Sequence, residues 1–101
     1  MAFDMYADQA REAIGQHEEF LLMLASADEA RFPELSAVWS SFYKSPCLPS
    51  AQAGRLVHEL LDLLACNGGR SNKPISEPVI RLVLFFSAAY RGGHEVRCSS
   101  D

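Results

Sequence analysis

Residues 79–90 read Val-Ile-Arg-Leu-Val-Leu-Phe-Phe-Ser-Ala-Ala-Tyr, an apolar run that only Arg81 and Ser87 interrupt. Wound as a helix, it is apolar nearly all the way round, so the rest of the chain or a partner must wrap it. Its start is signalled by Ser76 as an N-cap and by Ile75 and Ile80 placed to form a hydrophobic staple. Glu77 stands four residues before Arg81, the spacing of a helical ion pair. Gly92 and Gly93 end the pattern, which predicts a helix over 77–91. The run is too short for a bilayer span, which needs about 20 residues.

Moving outward toward the N-terminus, Ala53, Leu56, Val57, Leu60, Leu61, Leu63 and Leu64 form one broad apolar face and predict a helix over 50–66. Arg55, His58, Glu59 and Asp62 fall on its other side, where Arg55 with Glu59 and His58 with Asp62 have (i, i+4) spacing. Pro33 suits a first helical position. Leu35, Val38, Trp39, Phe42 and Tyr43 continue from it, predicting a helix over 33–44 that Pro46 and Pro49 terminate. Phe3, Tyr6, Ala10, Ala13, His17, Phe20 and Leu24 step by three and four, which predicts a helix over 4–25 with Asp4 at its N-cap. Residues 94–101 read as a polar tail, extended against the rest, with Val96 its one buried-type residue. No segment reads as a strand. The expectation is an all-α single domain, a four-helix bundle with the apolar C-terminal helix at its centre.

Composition narrows the classes of function. An apolar share of 49% in 101 residues supports a folded core and argues against disorder. The net charge of −4 argues against nucleic acid and against anionic lipid as partners. Residues 1–44 carry eight acids and three bases, while residues 45–101 carry five acids and six bases. The acidic excess therefore sits in the first half, where it aids solubility or steers a basic partner. Cys47, Cys66 and Cys98 are an odd number without CxxC spacing, which fits a reducing compartment better than a disulfide or zinc framework. No secretory signal is visible, so the expected location is cytoplasmic.

The residue patterns favour binding over catalysis. His17 falls within the first apolar stripe, where a core or boundary histidine is the simplest reading. His58, Glu59 and Asp62 lack the repeated carboxylate–histidine spacing of a helical metal site, and His94 with Cys98 sits in the tail. Neither glycine pair precedes a helix as an anion-binding loop would. The link between the second and third predicted helices is too long and proline-rich for a helix-turn-helix, and the third predicted helix lacks the basic and polar residues needed to contact phosphate and bases. No metal, cofactor or enzymatic activity is expected.

In size, acidity and predicted helical organisation the chain resembles small bacterial immunity proteins, which bind and block a co-encoded toxin. The resemblance implies a protein partner, a basic toxin or effector. The acidic side chains Asp8, Glu12, Glu18, Glu19, Asp28, Glu29 and Glu34 would be the contacts, through complementary charge. Trp39 and Tyr43 could anchor such a complex, although core packing is their simpler role. The alternative is a homodimeric adaptor or secretion chaperone that uses the 77–91 helix as its interface. A small-ligand binder with His17 facing an internal pocket is a third reading.

Overall fold

Phe3, Met5 and Ala7 alternate with Asp4 and Tyr6, and this period of two, not the helical stripe, governs the N-terminus. The structure, a computed structural model, describes residues 3–100. Strand β1 (Phe3–Ala7) turns back through Asp8 and Gln9 into β2 (Ala10–Ile14), with Phe3 opposite Ile14 and Ala7 opposite Ala10. Asp8 takes φ +54° in the turn, a conformation that aspartate tolerates better than most residues. A 3-10 turn (Gln16–Glu18) then leads into a short helix, α1 (Phe20–Ser26).

After α1 come α2 (Pro33–Ser40), a 3-10 turn (Phe42–Lys44) and the two-residue strand β3 (Cys47–Leu48). Two long helices follow, α3 (Ser50–Cys66) and α4 (Lys73–Gly92), and the described chain closes with β4 (Val96–Ser100). β4 pairs antiparallel with both β1 and β3, giving a sheet of order β2-β1-β4-β3. The first and last strands are thus neighbours in the middle of the sheet.

The expected all-α four-helix bundle is therefore corrected to a mixed fold of four α-helices against a four-stranded antiparallel sheet. The predicted 4–25 helix is a hairpin, a 3-10 turn and a two-turn helix. The predicted polar tail holds a strand over 96–100, while Asp101 lies outside the described residues. The reason lies in burial. Phe3, Met5 and Ala7 are at most 4% exposed and share one sheet face with Ile14, Val96 and Cys98. A helix would turn Met5 to the side opposite Phe3 and Ala7. Phe42 stacks on Phe3, ring centroids 4.6 Å apart, and joins the helical layer to this face.

A second correction concerns α4. It starts at Lys73, so Ser76 is a buried residue inside the helix and not its cap. It is not wrapped on all sides either. Val79, Leu82, Phe85, Phe86 and Ala89 are buried, but Ile80 is 45% and Leu84 67% exposed. α3 and α4 run antiparallel: the Tyr90 ring near the end of α4 covers Gly54 near the start of α3, so closely that a Cβ there would lie 2.7 Å from it. Gly93, φ +69°, ends α4 with a Schellman motif, its N–H donating to Tyr90 and the N–H of His94 to Ala89. That turn aims the chain back across the sheet as β4. No helix among the described residues is long and apolar enough to cross a membrane.

Candidate protein-binding surface

The seven acidic residues singled out in the sequence divide into those held internally and those left free. Glu12 and Glu18 belong to the first group, and Arg81 holds both. Glu12 points to the helical side of β2, since it pairs with the inward-facing Met5. Glu18 closes the 3-10 turn, accepting a 3.0 Å bond from the Gly15 N–H while its own N–H donates to the Gly15 carbonyl. From α4, Arg81 donates to both Glu18 oxygens at 2.9 and 2.6 Å and to the Ala13 carbonyl at 3.0 Å. Its Nε lies 2.8 Å from Glu12 Oε2 as an ion pair whose angle does not make a hydrogen bond.

Glu18 is only 8% exposed. The bidentate hydrogen bond from Arg81, aided by the Gly15 N–H, holds its carboxyl below the usual range against the opposing effect of burial. The same contact raises Arg81 above its ordinary value. Two of the expected contact residues are thus a structural clasp between β2, the 3-10 turn and α4. The predicted Glu77–Arg81 pair does not form, because Arg81 turns toward the sheet.

Glu34 is also engaged, taking a 2.8 Å bond from Arg55 Nε. The (i, i+4) pairs expected within α3 give way to contacts between elements. Arg31 reaches Asp62 with two bonds of 2.9 and 3.0 Å and lowers its pKa. Glu59 receives the N–H groups of Glu34 and Leu35, at 3.0 and 2.9 Å, and so caps α2 from outside it. His58, Glu59 and Asp62 therefore serve no common ligand. Among the described residues no group of three histidine, cysteine, aspartate or glutamate side chains is placed to hold a metal.

Asp8 sits on the β1–β2 turn, exposed, 3.8 Å from His94. Glu19, Asp28 and Glu29 have no ion pair among the described residues. Glu19, Met23 and Ala27 follow one another by four residues on and just beyond the outer side of α1, the side away from buried Leu21, Leu22 and Ala25. Met23 is 55% and Leu24 39% exposed. Asp28 and Glu29 lie in the turn that follows, both exposed. This end of the molecule thus combines two exposed apolar side chains with three uncommitted carboxylates.

The remaining candidates are placed as follows. His17 has an 86% exposed side chain and does not face an internal pocket. Trp39 is half-buried and packs against Phe42 and the core, whereas Tyr43 is exposed, edge-on to Phe42 at 5.1 Å. Cys47 and Cys66 are exposed; Cys98 faces inward, and burial pushes its thiol up to about 12. The sequence did not mark Arg31 as a partner, and it paired Glu59 with Arg55 instead of with the start of α2; only contacts between elements reveal these roles. Comparison with known proteins finds no matching family model, no matching curated protein and no matching solved structure.

Proposed function

We propose that this protein is a binding inhibitor of the immunity type, which neutralises a basic protein toxin or effector through an acidic surface and carries out no catalysis itself. The observation that supports this reading is the α1 end of the molecule. Met23 and Leu24 offer apolar area to a partner, and around them Glu19, Asp28 and Glu29 carry carboxylates that form no ion pair among the described residues. An apolar centre with a charged rim is the usual anatomy of a protein-binding patch. The contact set differs from that of the sequence: Glu12 and Glu18 leave it because Arg81 holds them, and Glu34 because Arg55 does.

The test pairs the chain with the product of the neighbouring reading frame. Co-expression is expected to relieve that product's toxicity, and the two should co-purify. Asp28→Lys with Glu29→Lys should slow association at low salt at least about tenfold and flatten its salt dependence. Met23→Ala should mainly speed dissociation. A chain that neither binds nor protects would overturn the reading. Unchanged association by the double reversal would displace the contact from this surface.

A further inference from the structure

On α4, Glu77, Ile80, Leu84, Ala88 and Arg91 are all exposed and fall on one side of the helix. Glu77, Leu84 and Arg91 are seven residues apart, so they lie almost in a line along it. Leu84 at the middle is 67% exposed, the most open of the large apolar side chains among the described residues. Neither Glu77 nor Arg91 has an ion pair among the described residues. The stripe thus carries an acid seven residues before its central leucine and a base seven residues after it. It also carries a large apolar residue four before the leucine and a small one four after it.

We infer that this stripe docks on the same stripe of a second copy, with the two α4 helices antiparallel and crossing at Leu84. In that register, positions equally far before and after Leu84 face each other. Glu77 meets the second copy's Arg91, Ile80 meets its Ala88, and Leu84 meets Leu84. Each contact then occurs twice about a two-fold axis, as a self-complementary interface requires. Charge faces opposite charge, and bulk faces a small side chain, so the helices can approach closely along their whole contact. A parallel pairing would set Glu77 against Glu77 and Arg91 against Arg91.

A stripe of 15 residues is about 22 Å long. A contact made by one such stripe from each copy belongs with the small, weakly associating interfaces, those under about 1,200 Å² in total. The association is therefore weak, with a Kd on the order of 10 to 100 µM.

Sedimentation equilibrium of the full chain from micromolar to about millimolar concentration tests this. A monomer–dimer equilibrium in that range is expected, and Leu84→Glu should weaken it at least about tenfold. Glu77→Arg and Arg91→Glu should each weaken self-association several-fold, because each sets like charges face to face. Mixed with each other, these two variants should form a heterodimer at least as tight as the unaltered dimer, since both ion pairs are then restored. All three positions are exposed, and circular dichroism with thermal melting confirms that every variant is folded. A chain that stays monomeric at millimolar concentration overturns the inference. So does a dimer indifferent to Leu84→Glu, or one that neither single charge reversal weakens.

Discussion

Arg81 is the residue on which the two layers of the molecule meet. Its guanidinium answers two carboxylates and a backbone carbonyl, from β2 and the 3-10 turn, 63 to 69 positions earlier in the chain. A polar break in an apolar run marked it as a residue needing a partner, but which partner was not legible. The nearest carboxylate in sequence, Glu77, has suitable spacing and is left aside, because the 3-10 turn after β2 offers Arg81 a bidentate acceptor, Glu18, already fixed by the Gly15 N–H. Removing the cation leaves Glu18, almost out of reach of solvent, without its counter-charge. Arg81→Met is expected to destabilise the fold by about 2 kcal/mol, below the range for fully buried pairs because the Arg81 side chain is 40% exposed. Glu18→Gln, which retains a polar group, should cost less. A double-mutant cycle by urea denaturation is expected to give a coupling of about 1 kcal/mol or more between them, and additivity would mean that the clasp contributes nothing as a pair.

At the scale of elements, what could be read was the part of the pattern that repeats locally. α3 shows apolar residues at helical spacing from Ala53 to Leu64, stopped by Asn67 and Gly68, and no competing period exists there. The N-terminus carries two periods at once. Phe3, Tyr6, Ala10 and Ala13 fit a helix, while Phe3, Met5 and Ala7 fit a strand, and local propensity does not choose between them. What chooses is β4, which arrives from the far end of the chain to pair with β1. Charges behaved similarly: side chains of α3 that could have paired along their own helix were drawn to α2 and to the turn before it. Glu59 shows the physical reason. The first N–H groups of α2 have no acceptor of their own, Phe32 at the cap position supplies none from its side chain, and the Glu59 carboxylate fills both vacancies. Glu59→Ala is expected to lose about 1–2 kcal/mol, the cost of losing a cap, and to speed hydrogen exchange at the Glu34 and Leu35 amides before it affects those of α3. Unaltered exchange at these two amides would show that the cap does not hold α2.

In the whole molecule four helices pack on an antiparallel sheet whose first and last strands are adjacent, so the N-terminal hairpin draws its third strand from the far end of the chain. This long-range pairing is invisible to any short window of sequence, and it is why the apolar content was legible while the class of fold was not. The same arrangement distributes the charge. The acidic first half does not face solvent as one continuous surface, because basic residues of the second half fold back onto it, Arg81 onto Glu12 and Glu18 and Arg55 onto Glu34. Stability should therefore depend on acid pH in a specific way. Glu18 and Asp62 are held below their ordinary values, 4.5 and 3.8, by Arg81 and Arg31. A carboxylate with a lowered folded pKa stabilises the fold fully above its unfolded pKa, and that contribution is lost as the pH falls through the folded value. These two groups add no slope between pH 7 and about pH 5 and then lose their contribution as the medium becomes more acidic. The Arg81→Met variant separates the two. Without Arg81 the main cause of the depression of Glu18 is gone, and burial, which favours the protonated form, is opposed chiefly by the Gly15 N–H. The stability difference between the unaltered chain and this variant should be largest near neutrality and shrink toward pH 3, as Glu18 takes up its proton in both. Urea denaturation at pH 7, 5, 4 and 3 measures that difference, and a value constant across the series would exclude Glu18 as the group that Arg81 serves.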